Sequence, residues 1–247
     1  MTIRDFFTVH PRAAIAFSGG VDSTFLLYAA KEAGADAAAI YVRSQFQPAF
    51  EYEDAVKMAE RIGVQMRVIG VDALADERVR ANPADRCYFC KINIMGAIRR
   101  AAAEDGYDLI CDGTNASDDV SDRPGFKALQ EFGIRSPLRE CGLTKARIRE
   151  LAREAGLPVW NKPSYACLAT RIPAGEVITE DKLRTTEAAE TALFGMGFRD
   201  FRVRMRGGAA LVQVTAAQHK EAVIREKEIE AAIGRLYTSV TIDDHTR

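Results

Sequence analysis

Two groups of residues carry types and spacings that could do chemistry. The first is Ser18-Gly19-Gly20-Val21-Asp22-Ser23, set between an apolar run at 13–17 and an amphipathic stretch at about 22–32. There the glycines can bend the backbone until successive N–H groups point outward. Those groups, the two serine hydroxyls and the helix N-terminus form an anion site. No Gly-Lys-Ser/Thr follows, and the spacing is not Gly-x-Gly-x-x-Gly, so neither the Walker A loop nor the dinucleotide fingerprint applies. A bare strand-to-helix turn would ask for one glycine or asparagine rather than the whole hexapeptide.

The second group is thiols. Five cysteines cannot all pair, and the N-terminus reads as neither a secretory signal nor a transit peptide, so a reducing cytoplasm is expected. Cys87-Tyr88-Phe89-Cys90 stands just before a helix predicted at about 90–104, and i, i+3 spacing at a helix start lets both sulfurs face one point. Zinc, a redox disulfide and an iron–sulfur cluster all use such a pair. Cys167 falls in a loop-like stretch, 163–173, after the last helix of the core. By contrast Cys111 sits inside an apolar strand and Cys141 in a short connector, where free cysteines serve as packing residues.

The elements that must hold these groups alternate. Apolar strands are predicted at 13–17, 37–42, 64–69 and 108–112, with helices at about 22–32, 52–62, 90–104 and 144–155, the last capped by Thr144. Repeated βα units with fully apolar strands mean a parallel sheet with helices on both faces, whose ligands collect at the strand C-terminal ends. After Pro173 the pattern changes. A long helix at 180–196 leads to 200–206, where Arg202, Arg204 and Arg206 alternate with Phe201, Val203 and Met205, then to a Gly207-Gly208 turn and a second run at 209–215. A helix at 216–234 and a strand at 239–242 finish the chain. The expected organisation is an α/β domain over 1–175 and a small α+β domain over 176–247.

Composition narrows the partners. Apolar residues make up 47% and charged residues 28%, enough for a sizeable core, while 34 Lys and Arg against 35 Asp and Glu leave a net charge of −1. That balance argues against a long nucleic-acid backbone as ligand. No stretch approaches the roughly 20 apolar residues that a membrane span needs.

The hexapeptide loop resembles the signature of the PP-loop ATP pyrophosphatases, and the resemblance extends over about 13–172. It implies that Ser18, Gly19, Gly20, Val21, Asp22 and Ser23 grip the pyrophosphate of ATP while a substrate oxygen attacks the α-phosphate to give an adenylylated intermediate. Magnesium would balance the phosphate charge, with Asp22 an indirect ligand; pairing with the helix dipole accounts for Asp22 equally well. A closer resemblance lies in Pro83-x-x-Arg86-Cys87-x-x-Cys90-Lys91, Asp112-Gly113-Thr114-Asn115, Arg123-Pro124-Gly125, Arg135-Ser136-Pro137-Leu138, Gly142-Leu143-Thr144-Lys145 and Cys167-Leu168-Ala169-Thr170-Arg171-Ile172-Pro173. Together these look like the LarE family, PP-loop sulfur transferases that build the nickel-pincer nucleotide cofactor.

That resemblance implies adenylylation of one carboxylate of pyridinium-3,5-biscarboxylic acid mononucleotide, followed by displacement of AMP by sulfur. In members with a single cysteine, the counterpart of Cys167 gives up its own sulfur. In members with three, the counterparts of Cys87, Cys90 and Cys167 hold a four-iron four-sulfur cluster. This chain has all three, so the cluster version is expected. Soft thiolates suit iron–sulfur chemistry, and a structural zinc site normally has four protein ligands. Zinc and a dithiol that regenerates a persulfide on Cys167 are the other readings of the trio. The same resemblance places Gly113, Thr114 and Asn115 at the nucleotide; an Asp/Asn-rich turn is the plainer account. Arg171 and Lys145 could neutralise a phosphate, and Arg204 and Arg206, with Arg202, are the best phosphate group of the tail. Gln213 stands where the resemblance leads one to expect an acidic residue, which counts against an acidic metal site there. A homo-oligomer is also implied. Amidation of the NAD synthetase kind, tRNA thiolation and a non-catalytic nucleotide or metal sensor are the competing functions.

Overall fold

Thr2 and Asp5 cap each other's backbone N–H groups and start α1 (Ile3–Val9) in the computed structural model, which describes residues 1–119 and 124–246. Then come β1 (Arg12–Ala16), α2 (Val21–Glu32), β2 (Asp36–Arg43), α3 (Ala49–Ile62) and β3 (Met66–Gly70). A short α4 (Glu77–Arg80) precedes α5 (Arg86–Glu104), β4 (Ile110–Cys111), α6 (Pro124–Glu131), α7 (Pro137–Glu140) and α8 (Lys145–Glu154). The remainder holds α9 (Glu180–Gly195), β5 (Arg202–Arg206), β6 (Ala209–Gln213), α10 (Ala216–Ile224), α11 (Glu226–Ile233) and β7 (Val240–Ile242).

The parallel sheet has the order β3-β2-β1-β4 among the described residues, with Ile15 opposite both Ala39 and Cys111. Successive residues of its strands feed two separate cores, as the two-residue period of a strand requires. Ala13, Ile15, Ala39 and Tyr41 pack with Phe6, Leu26, Ala55 and Ile148 of α1, α2, α3 and α8. Ala14, Ile40, Val42 and Ile110 pack with Met95 and Ile98 of α5 and Leu129 of α6. Both faces are therefore covered, which is why these strands read as unbroken apolar runs. The chain runs outward through β1, β2 and β3, then returns to the other side of β1 for β4. The C-terminal ends of β1 and β4 thus flank the topological switch point, where open α/β sheets bind ligands.

Compactness divides the chain into 1–73 with 85–162, and 74–84 with 163–247. This differs from the boundary expected at 175, and hydrogen bonds far apart in sequence give the reason. Asn82 Nδ2 donates to the Pro173 carbonyl at 2.8 Å, Gly175 N donates to the Asn82 carbonyl at 2.8 Å, and Ile178 N donates to the Arg80 carbonyl at 2.8 Å. A strap from the middle of the sequence therefore belongs to the C-terminal unit. That unit has its own core, including Leu193, Phe201, Val203, Val212 and Ile229, under an antiparallel β5–β6 hairpin that β7 extends in parallel. Gly207 and Gly208, at φ 53° and 89°, make the hairpin turn expected of them. The helix expected over 216–234 is broken at Arg225, whose guanidinium donates to the Met196 carbonyl at the end of α9 (3.0 Å). Among the described residues no helix is long and apolar enough to cross a membrane.

Candidate functional site

Gly19 shows why the loop after β1 needs glycine. Its φ is +69°, and a Cβ there would stand 2.8 Å from the Ala55 Cα on α3. Any side chain would be both left-handed and in collision with a helix backbone. The serines brace the turn from inside. Ser18 N donates to Ser23 Oγ at 3.2 Å, the two hydroxyls are 3.1 Å apart, and Ser23 Oγ lies 3.3 Å from the Gly20 carbonyl. Gly20 is the N-cap of α2 with no side chain capping it, and Val21 is the first helical residue. The first N–H groups of α2 thus have no side-chain cap at the C-terminal edge of β1.

The end of β4 comes up against the same turn. A Cβ on Gly113 would lie 3.0 Å from Ser23 N and 3.3 Å from Asp22 Cβ, so glycine permits the close approach. Asp112 is buried and accepts from Ser136 Oγ (2.7 Å), Thr114 Oγ1 (2.5 Å) and Thr114 N (3.3 Å). Asn115 is also buried. Its Oδ1 accepts from Ser117 N at 2.8 Å and its Nδ2 reaches Asp22 Oδ1 at 3.5 Å. Lys145 Nζ, at the first position of α8, donates to Asp22 Oδ2. Burial raises the Asp22 pKa, and the Lys145 hydrogen bond and charge only partly offset it. The loop, the 113–115 segment and Lys145 therefore converge on the switch point. The Asp22–Lys145 pair is new information, since residues 123 apart have no sequence signal that joins them.

Cys87 and Cys90 lie at the start of α5 rather than ahead of it, because the helix begins at Arg86. Cys87 is exposed, Cys90 half-buried, and the Arg86 guanidinium donates toward Cys87 Sγ at 3.5 Å. α6 lies against this turn: Tyr88 OH donates to Glu131 at 2.9 Å, and a Cβ on Gly125 would be 3.8 Å from the Cys87 carbonyl. Arg123 of the same motif lies outside the described residues. Cys111 is fully buried, and burial pushes its thiol up to about 12, in keeping with a packing role. Burial also raises the Cys141 pKa. Cys167 belongs to the second compact unit, half-buried, as the N-cap of a 3₁₀ turn over Leu168–Arg171. Among the described residues no three His, Cys, Asp or Glu side chains stand together as a ready metal site.

The arginines of the second unit correct the sequence reading most. Arg171 is fully buried, and its donors are committed to Glu190 Oε1 (2.8 Å) and Oε2 (2.9 Å), the Ala166 carbonyl (2.8 Å) and Thr170 Oγ1 (2.8 Å). It is an internal ion pair and not a phosphate contact. Arg202 is 4% exposed and donates to the Phe201 and Ser164 carbonyls. Arg204 donates to Gln213 Oε1 and to the Thr170 carbonyl, both at 3.1 Å, while Arg206 is exposed at the end of β5 with a 3.4 Å contact to the Met205 carbonyl. Glu190 escaped the sequence reading. Its signal was a lone carboxylate in the helical stripe Leu183, Thr186, Glu190, Leu193, all buried in α9.

The model of the family described as queuosine biosynthesis protein QueC matches residues 12–82. An uncharacterised protein of Synechocystis is 37% identical over 90% of this chain and 83% of its own length. Pyridinium-3,5-bisthiocarboxylic acid mononucleotide synthase of Lactiplantibacillus plantarum is 32% identical over 94% of this chain and 85% of its own. A tRNA-specific 2-thiouridylase, MnmA, of Clostridium botulinum is 29% identical over 60% of this chain and 51% of its own.

Proposed function

The chain belongs to the LarE family of PP-loop, ATP-dependent sulfurtransferases, and from that premise we propose that it converts a carboxylate of pyridinium-3,5-biscarboxylic acid mononucleotide into a thiocarboxylate. The convergence of the 18–23 loop, Gly113 to Asn115 and the Asp22–Lys145 pair on one switch point carries the ATP half of this reading. Uncapped N–H groups of α2 and the Ser18 and Ser23 hydroxyls receive the pyrophosphate portion of ATP. Mg2+ enters with ATP, and Asp22 is the acidic group beside it. A substrate carboxylate oxygen attacks the α-phosphorus, the bond to pyrophosphate breaks, and pyrophosphate departs with both electrons. AMP then leaves the acyl carbon as a sulfur nucleophile adds, so oxygen is exchanged for sulfur.

For the sulfur we propose the three-thiolate version. Cys87 and Cys90 stand on one helical turn, none of Cys87, Cys90 and Cys167 is fully buried, and the donor set of the three suits a four-iron four-sulfur cluster. Bound by these three thiolates, such a cluster would supply a replaceable sulfur. This chain's own part is to present the thiolates and, through Arg86, to place a positive charge beside Cys87. The partial likeness to a tRNA-specific 2-thiouridylase supports sulfur transfer as the type of reaction. The balanced charge of the whole chain favours a small nucleotide over RNA.

Anaerobic purification with iron and sulfide analysis, then incubation with ATP, Mg2+ and the pyridinium dicarboxylate, tests both halves. Substrate-dependent pyrophosphate release together with sulfur-for-oxygen mass change in the product is expected. Pyrophosphate without substrate dependence, an amide product or a modified tRNA would overturn the assignment. Loss of the mass of hydrogen sulfide from Cys167 after one turnover would replace the cluster version with sacrificial donation. Stoichiometric zinc in place of iron would sink both versions.

A further inference from the structure

The segment 163–167 has no helix or strand, yet its carbonyls and those of the following turn are held by arginines. Arg202 Nη2 donates to the Ser164 carbonyl at 2.8 Å, Arg171 Nη1 to the Ala166 carbonyl at 2.8 Å, and Arg204 Nη1 to the Thr170 carbonyl at 3.1 Å. The Cys167 carbonyl receives three donors: Thr170 Oγ1 at 2.9 Å, Thr170 N at 3.0 Å and Arg171 Nη1 at 3.3 Å. Glu190, 1% exposed, anchors the set. Its carboxylate accepts two bonds from Arg171, one from Tyr165 OH and one from Val203 N on β5 (2.9 Å). The guanidinium carbons of Arg171 and Arg202 lie over the Tyr165 ring at 4.6 and 5.1 Å from its centroid.

We propose that Arg171, paired with Glu190 and assisted by Arg202 and Arg204, is a positioning residue that clamps the Cys167 loop by its carbonyls and thereby fixes where the Cys167 sulfur points. A buried ion pair is a poor source of stability compared with apolar packing of the same volume. Apolar residues, however, could not supply N–H donors to a loop that lacks a ladder or helix of its own. The pair is thus spent on direction: pinning the carbonyl of a residue restricts the peptide plane beside its Cα, and with it the origin of the side chain. The inference rests on the reading that Cys167 carries sulfur chemistry, but its test does not depend on sulfur transfer.

The reduced, metal-free full-length chain is treated with iodoacetamide, and labelling of each cysteine is followed by peptide mass spectrometry, with hydrogen exchange of β6 reporting on the second unit's core. In Arg171→Met, Cys167 should alkylate at least about tenfold faster, as local opening replaces a hydrogen-bonded loop, while β6 amides stay protected. In Glu190→Gln, which keeps the volume and removes the charge, the same selective rise is expected; in Arg171→Lys it should be smaller. Unchanged Cys167 labelling with β6 protected would overturn the clamp. Loss of β6 protection in both Arg171→Met and Glu190→Gln would overturn it too, by showing that the pair holds the whole unit rather than the loop. A wild-type chain that fails to make thiocarboxylate refutes the proposed reaction and leaves these labelling outcomes intact.

Discussion

Asp22 shows how a single side chain can be useful and costly at once. Burial disfavours its charged form, and Lys145 repays only part of that, so its folded pKa lies above the ordinary carboxylate value. Between the unfolded and folded values the folded state holds more proton, and stability falls as pH rises through that window. Above the window the whole penalty is present. Asp22→Asn should therefore raise the melting temperature at neutral pH, lose that advantage in acid where Asp22 is protonated anyway, and abolish pyrophosphate release. A variant less stable than the parent at neutral pH would show instead that the Lys145 contact dominates. Gly19→Ala acts oppositely. Left-handed backbone alone costs about 1–2 kcal/mol for an L residue, and the 2.8 Å approach to Ala55 forces the loop or α3 to move. Calorimetry should register weakened ATP binding as well as a lower melting temperature; ATP affinity within twofold of the parent would contradict this account of the loop.

At the scale of elements, α8 is the part whose position matters out of proportion to its length. Thr144 accepts from Arg147 N at 3.3 Å as its N-cap, and the very next residue is Lys145. Removing the cap by Thr144→Ala should cost about 1 kcal/mol, or roughly 2–4 °C for a chain of this size. It should also loosen the Asp22–Lys145 contact, so ATP affinity should fall along with thermal stability, whereas a purely local cap would move the melting temperature alone. Thr144 was legible in the sequence, as were the four strands and the helices after them, because a parallel sheet buried on both faces writes its strands as unbroken apolar runs. The short helices α1, α4, α6 and α7 were not. Two of them, Glu77–Arg80 and Pro137–Glu140, span a single turn, too short for any periodicity to show. Arg202, Arg204 and Arg206 mislead for a different reason. Alternation marks which side of a strand a residue takes, but it cannot say whether that side faces water or, as for Arg202, backbone carbonyls inside the unit.

For the molecule as a whole, the discontinuous division of the chain has a direct consequence for how it can be cut. A boundary at 175 looks natural in sequence because the βα grammar ends nearby. The strap 74–84 nevertheless belongs to the unit that follows, with Val79 fully buried and Asn82 1% exposed. Asn82 also holds a φ of 56°, a left-handed conformation for a residue other than glycine, which persists only where surrounding contacts enforce it. Those contacts include the bonds of Asn82 to Pro173 and Gly175, with the bond from Ile178 N to the Arg80 carbonyl beside them. A fragment ending at 162 retains the strap but removes every one of them, and a four-residue helix has no independent stability. Trypsin should therefore cut the fragment after Arg78 or Arg80 at least about tenfold faster than the full chain, in proportion to the population of the opened strap. The 18–23 loop and the sheet, which lie in the other unit, should keep their protection. Equal cleavage rates in fragment and full chain would mean that the strap folds on its own, and the first unit could then be treated as a continuous domain. Selective cleavage at the strap would place the dependence in the segment just before Cys87, so the tail would be required for order ahead of the Cys87–Cys90 turn as well as around Cys167.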